Sequence, residues 1–183
     1  MTAFIMASAP LASLDNVSHP ILLDVHDEAM LAACVSVIRE AFQTVADDCG
    51  LTEATVPTNP AFLTLERLQA ARTRGYRILA LSVAGRIVGS VSVRADSRRA
   101  TGELTRLAVA PSFRHQGYGE LLLEHSCAIA AADGATTISV GIIATNIVLR
   151  RWYERHGFAV TTTRAYEHLP FAVCYLQRRQ DAP

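Results

Sequence analysis

The sequence predicts a mixed α/β fold, one sheet with helices packed on it, and three observations support this. Short apolar runs of strand character alternate with segments whose apolar residues recur at helical spacing. Strand pairs with turn signals stand near both ends of that series, at residues 76–94 and 158–177. Between them, a strand stopped by Pro111 runs through a glycine-containing loop directly into a helix. The chain has 183 residues, half of them hydrophobic, which suits one domain with a short extension. The expected division is a flexible N-terminal extension over 1–20 and a single domain over 21–183.

The elements follow in order. Ile21 to Val25 is a first strand. Asp27 caps a helix over 28–48, whose Met30, Leu31, Cys34, Val37, Ile38, Ala41, Phe42 and Val45 fall at helical spacing, and Gly50 stops it. Residues 51–63 hold Pro57 and Pro60 and read as loop. A short second helix covers 64–74 and ends at Gly75. Residues 76–83 and 86–94 form a hairpin around Ala84-Gly85, and a polar link over 96–102 leads to a strand over 103–110. Residues 117–133 form a third helix with Leu121, Leu122, Ile129 and Ala130 as apolar positions. Residues 136–143 form a strongly apolar strand, 146–156 a helix closed by Gly157, and 158–165 with 171–177 a last strand pair.

Composition excludes several chemistries. The 17 basic residues are all arginine, so the chain contains no lysine. A phosphate-binding P-loop, a Schiff-base enzyme and a protein kinase each need one. Arginine keeps its charge at any working pH and suits forked contacts to phosphate. A formal net charge of zero supplies no general attraction to nucleic acid or an anionic membrane. No run approaches the roughly 20 apolar residues of a membrane span. Cys34, Cys49, Cys127 and Cys174 are far apart with no CxxC pair, and no histidine pair has metal-ligand spacing, so no metal is expected. Residues 1–14 lack a positively charged start and do not read as a secretory signal. A cytoplasmic protein with reduced thiols is the expectation.

The most informative stretch is Leu104 to Leu123, LTRLAVAPSFRHQGYGELLL. Its loop contains Arg114-His115-Gln116-Gly117-Tyr118-Gly119. Glycines at a helix start let backbone approach a ligand without a Cβ in the way. The first helical N–H groups have no intrahelical partners and lie at the positive end of the dipole, so they form an anion site. Arg114 can add a charged fork. The dinucleotide-binding fingerprint fails because Leu122 stands where its third glycine belongs.

Val109, Pro111, Arg114, Gly117 and Gly119 resemble the acetyl-coenzyme A signature of the GNAT acetyltransferase superfamily. A second match lies downstream: Asn146, Tyr153, Gly157 and Phe158 resemble the family's Asn-x6-Tyr-x3-Gly-Phe segment, with Leu149 where many members carry alanine. Residues 168–171, His-Leu-Pro-Phe, are similar to a segment of bacterial members. The resemblance covers about 21–179 and is specific over 103–158. It implies a mixed, mostly antiparallel sheet of six or seven strands flanked by four helices and splayed between the fourth and fifth strands. It makes 21–183 a single N-acetyltransferase domain and acetyl-coenzyme A the co-substrate.

The resemblance also implies roles. The pantetheine arm lies along Leu107, Ala108 and Val109, and a backbone N–H at or beside Leu107 polarises the thioester carbonyl. The pyrophosphate sits on the N–H groups of Gln116, Gly117, Tyr118 and Gly119, helped by Arg114 and His115. Tyr153 protonates the departing thiolate, or else packs or bonds the sulfur. Asn146 touches the pantetheine, or is an ordinary helix cap. Glu103 deprotonates the amine through a water, or is an exposed strand-start glutamate. Strand alternation places Glu103, Thr105, Leu107 and Val109 on one face. His156 caps carbonyls, and His168 is a turn residue or a second candidate base.

The expected acceptor is a primary amine of a small molecule or peptide. Asp24, Asp27, Glu28, Asp47, Asp48 and Glu53 either attract that cation or form a solvated face. Phe42, Phe62, Tyr166 and Phe171 either line its pocket or belong to the core. A homodimer is a family expectation. The alternative function is a coenzyme-binding module without catalysis.

Overall fold

The structure, a computed structural model, describes residues 19–180. The extension expected over 1–20 lies outside the described residues except for His19 and Pro20. The chain runs β1 (Ile21–Asp24), α1 (Glu28–Asp48), α2 (Leu65–Thr73), β2 (Arg77–Val83), β3 (Arg86–Asp96), β4 (Thr101–Val109), α3 (Tyr118–Ala132), β5 (Thr137–Ile143), α4 (Ile147–Arg155), β6 (Ala159–Arg164) and β7 (Val173–Arg179). The strands form one seven-stranded sheet in the order β1-β2-β3-β4-β5-β7-β6. The β4–β5 pair is parallel and the other pairs are antiparallel.

Local chemistry accounts for the element ends. The Asp27 carboxylate accepts from the Met30 N–H at 2.7 Å and starts α1. Thr64 caps α2 and Asn146 caps α4 in the same way. Ala84 and Gly85 both have positive φ, as a two-residue hairpin turn of matching twist requires. The polar link expected over 96–102 is shorter than the sequence implied. The antiparallel ladder continues through Asp96–Thr101 and Ala95–Gly102, which leaves only a tight turn.

The sheet carries a core on each face. Leu79, Leu81, Val91, Leu104, Ile138 and Leu176 pack with Leu122, Leu123 and Cys127 of α3. On the other face Ile78, Ala80 and Ala108 pack with Leu31, Cys34, Val35 and Ile38 of α1 and Leu68 of α2. Helix α1 is long and apolar enough, by length and composition, to cross a membrane, contrary to the sequence expectation. Its apolar stripe lies on the sheet, the ordinary setting of a core helix. A third cluster, Ala46, Leu51, Val56 and Ala61, joins the loop after α1 to Phe62, Ile143 and Phe171, so this loop reaches the end of β5.

Two features of β4 set up the site. First, β4 and β5 pair only at Thr101–Thr137, Gly102–Ile138 and Glu103–Ser139. Beyond these pairs β4 stays with β3 and β5 stays with β7, so the strands part like a fork. Second, Ser90 pairs with Ala108 but Ser92 pairs with Thr105, so Arg106 and Leu107 together face Val91. Arg106 has φ 55 at this bulge. A bulge inserts one residue and breaks the alternation of faces. Leu104 therefore packs on the α3 side while Ala108 packs on the α1 side.

This corrects the expectation that Glu103, Thr105, Leu107 and Val109 share a face. Leu107 and Val109 pack against the α3-side core. Glu103 points to the opposite face, where it meets Tyr76. The pivot of the fork is tightly packed. Ser139 Oγ donates to the Gly102 carbonyl at 3.1 Å. A Cβ on Gly102 would stand 3.1 Å from Ile138 and 3.2 Å from Ala130. Gly102→Val is expected to destabilise the fold by about 1–3 kcal/mol, read as a lowered urea midpoint. An unchanged midpoint would show that the pivot has room to yield.

Candidate active site

The loop between β4 and α3 is built for an anion. A short 3-10 turn at Pro111–Phe113 ends in Arg114, and Gly117 is the N-cap residue of α3. His115 and Gly117 have φ values of 63 and 81. Left-handed residues of this kind curl successive N–H groups toward one point. Among the described residues, none of the N–H groups of His115, Gln116, Gly117, Tyr118, Gly119 and Glu120 has a hydrogen-bond acceptor; the Leu121 N–H, to Gly117 O, begins the helical ladder. At Gly117 the need for glycine is conformational, since nothing lies within 4 Å of the Cβ position. At Gly119 a Cβ would make an ordinary 3.5 Å contact with Trp152.

Arg114 is placed differently from the sequence expectation. Its Nη2 donates to the Ala41 carbonyl at 2.9 Å and to Thr44 Oγ1 at 3.1 Å, both on α1. Its Nε donates to the Val109 carbonyl at 3.4 Å. The guanidinium ties the loop to α1 through Nη2 and to the end of β4 through Nε. Asn146 takes the cap alternative: its Oδ1 accepts from the Leu149 N–H at 3.0 Å. His115 and Gln116 are exposed at the loop tip.

Tyr153 lies on the buried side of α4, only 4% exposed, against Trp152 and Phe158. Burial, with a smaller contribution from Cys127, raises its phenol well above the ordinary tyrosine value. Cys127, on the facing turn of α3, is itself pushed up to about 11, chiefly by burial. The raised pKa keeps the Tyr153 hydroxyl protonated, and among the described residues it has no hydrogen-bond partner.

Glu103 is held at the base of the fork. The Tyr76 hydroxyl donates to its Oε2 at 2.5 Å, and Arg94 Nη2 lies 3.0 Å from the same oxygen. The Arg94 guanidinium also stands over the Tyr76 ring, 4.6 Å from the centroid. Burial first, then the bond and charge of Glu103, push the Tyr76 phenol up to about 12. Both contacts fall on Oε2, so Oε1 lies outside them. A cavity of about 200 Å³, lined by Arg94, Asp96, Arg99, Glu103 and Ser139 among others, adjoins the carboxylate.

The remaining candidates divide clearly. His156 accepts the capping role, with Nδ1 2.8 Å from the Trp152 carbonyl and its ring on Trp152. His168 is an exposed turn residue beside Tyr166. Phe42, Phe62 and Phe171 border the third core cluster, whereas the Tyr166 hydroxyl bonds that of Tyr175 at 2.6 Å. Asp24 pairs with Arg77 at 2.7 Å, Asp27 caps α1 and Asp47 accepts from Gln43 Nε2 at 2.7 Å, so three of the acidic residues have structural partners. Among the described residues no three His, Cys, Asp or Glu side chains form a metal-binding group. Sequence reasoning missed Tyr76 and Arg106, whose places depend on the β2–β3–β4 register. The positive φ of Arg106 leaves no mark in the residue pattern.

A forked sheet, a run of unbonded N–H groups at one end of the opening and a buried phenol on α4 together fit coenzyme A. The sequence model of the acetyltransferase (GNAT) family matches residues 38–158. The chain belongs to that family. An amino-acid acetyltransferase of Pseudomonas putida is 31% identical over 145 residues, 79% of this chain but 32% of that protein. The chain thus spans less than half of that relative's length. An uncharacterized N-acetyltransferase of Mycobacterium bovis is 30% identical over 120 residues, 62% of this chain and 76% of that protein. Among solved structures, the PaiA N-acetyltransferase of Thermoplasma acidophilum in complex with coenzyme A superposes with TM-score 0.75 at 17% identity, covering 88% of this chain and 99% of that one. The ribosomal-protein-S18-alanine N-acetyltransferase of Escherichia coli gives TM-score 0.69 at 17% identity, covering 88% and 94%. At these identities the likeness is one of fold.

Gly117→Val in this GNAT chain is expected to weaken coenzyme A binding by about tenfold or more by calorimetry, because a β-branched residue resists the left-handed conformation that aims the N–H groups. Arg114→Met is expected to separate the two roles of the loop. Losing its bonds to α1 should lower Tm by several degrees while coenzyme A affinity stays within about threefold, the outcome expected if backbone donors carry the binding. A large affinity loss at unchanged Tm would restore Arg114 to the phosphate.

Proposed function

We propose that the protein transfers an acetyl group from acetyl-coenzyme A to a primary amine of a small molecule or peptide by direct attack on the thioester. The observation that carries this reading is the fork between β4 and β5, with unbonded N–H groups at Gln116–Gly119 and the protonated Tyr153 on α4. Gln116, Gly117, Tyr118 and Gly119 hold the pyrophosphate through backbone donors, and His115 stands at the rim. The free edge of β4 along Leu107, Ala108 and Val109 receives the pantetheine amides as an added strand would. The N–H at or beside Leu107, just past the bulge, donates to the thioester oxygen as charge develops there.

An alkylamine with pKa near 10.4 arrives mostly as the ammonium ion and must lose a proton before it attacks. Glu103 takes that proton through a water at Oε1 while Tyr76 and Arg94 hold Oε2 and fix the carboxylate's orientation. The carbon–nitrogen bond forms as the carbon–sulfur bond breaks, Tyr153 gives its proton to the sulfur, and the nitrogen's second proton leaves through water to solvent, from which the phenol is reprotonated. Burial keeps the phenol protonated over the whole working pH range, so the proton to be given is present when the thiolate departs. Asn146 contributes by starting α4 and so presenting Tyr153.

Thiol release with acetyl-coenzyme A and a panel of amines tests the assignment. Tight coenzyme binding with no turnover on any amine would leave a binding module instead of an enzyme. Tyr153→Phe is expected to lower kcat about 10²- to 10⁴-fold with coenzyme affinity nearly unchanged. In the parent protein the rate should not fall through deprotonation of this phenol below about pH 10, since burial shifts its titration upward. A Phe variant that keeps full turnover would remove the acid role.

A further inference from the structure

Arg106 is a partly buried arginine that the proposed chemistry does not use. The β4 bulge turns two consecutive side chains, Thr105 and Arg106, onto the face that carries Glu103 and Tyr76. Bulges re-aim side chains in this way next to binding sites. The guanidinium is half-buried, and the one hydrogen bond it makes among the described residues is from Nη1 to Thr105 Oγ1 at 3.2 Å. Among the described residues no carboxylate lies within 4.0 Å of it. Arg77, Arg94, Arg150 and Arg178, by contrast, each hold a carboxylate at 3.0 Å or less. Burial pulls the Arg106 guanidinium below its usual pKa and Arg74 adds like charge, while Glu103 acts the other way from a distance, without a contact. A guanidinium has five donors in a rigid fork, and a partly buried one without an anion is destabilising.

Its neighbours say what the anion belongs to. Arg106 stands 6.0 Å from the centroid of the Tyr76 ring, and the hydroxyl of that same ring holds Glu103. The proton acceptor for the amine and the unmatched cation therefore flank one tyrosine. Arg94, the other guanidinium on that ring, is bound to Glu103, which leaves Arg106 as the free fork. We infer that the acceptor is an amine bearing a carboxylate close to its amino group, and that Arg106 binds this carboxylate while Glu103 receives the ammonium end. A planar carboxylate matches a single guanidinium with two parallel bonds. The assignment reverses the first expectation drawn from charge, in which acidic residues recruit a plain cationic amine. It rests on the acetyl-transfer reading for the amine's fate but not for carboxylate binding.

The test uses acceptor pairs that differ only at the anion: an α-amino acid, its carboxamide, the amine in which hydrogen replaces the carboxylate, and the corresponding aminophosphonate. With acetyl-coenzyme A, the carboxylate member should be preferred at least tenfold in kcat/KM. Arg106→Gln should abolish that preference, with the loss in KM and not in kcat, and Arg106→Lys should recover part of it. Coenzyme A affinity in each variant reports that the fold is intact. A parent enzyme that ignores the carboxylate, prefers the phosphonate, or keeps its carboxylate preference in Arg106→Gln overturns the assignment. A second arm needs no turnover: calorimetry with coenzyme A present compares an N-acetyl amino acid with its neutral amide. Binding of the acid to the parent but not to Arg106→Gln, with no amine acetylated, would uphold the carboxylate site and remove the transfer reading. Turnover without selectivity in either arm would do the reverse.

Discussion

Strands β4 and β5 share three residue pairs and then separate, and the site follows from that parting. Parallel pairing from Thr101 to Glu103 anchors the two strands at the pivot, where Gly102 packs against Ile138 and Ala130 and receives the Ser139 hydroxyl. Beyond it, each strand keeps a full partner on its other side, so the sheet opens without unravelling. Exposed strand edges normally invite pairing with another chain. Here the edge lies inside the sheet, covered by helices on both faces, and the fold reserves it for a ligand that can offer amide groups of its own.

The bulge at Arg106 adds a second consequence. Without it, Glu103, Leu107 and Val109 would point the same way, and carboxylate and coenzyme would compete for one face. With it, Leu107 and Val109 turn toward α3, and Glu103, Thr105 and Arg106 turn toward α1 and α2. In the proposed function, acceptor chemistry and coenzyme contacts thereby fall on opposite faces of one strand. The cost is a non-glycine residue with φ 55, a strain typical of functional positions.

The absence of lysine acquires a structural sense. Phosphate binding is assigned to backbone N–H groups, so Arg114 is free to tie the loop to α1. Arg94 and Arg106 remain next to Glu103, where fixed planar forks orient partners better than a flexible ammonium does. The zero net charge therefore hides a local excess of guanidinium around one carboxylate. Tyr153, on the opposite face, is set chiefly by burial.

Much was legible from residues alone. Glycine and proline punctuation with 2.0 and 3.6 periodicities located seven strands and four helices, because these are local backbone preferences. The Arg114–Gly119 loop and the Asn146–Phe158 segment identified the family, since a close backbone approach leaves few residue choices. Only the tertiary structure decided which way side chains pointed. One inserted residue in β4 reversed the faces of Leu107 and Val109, and a cross-sheet contact turned Arg114 to α1. Tyr76, unremarkable in sequence, became the partner of Glu103 across 27 positions. Motif spacing records what the backbone must do locally. Register, bulges and long-range pairing decide which charges meet, and those arise only when the strands are laid side by side.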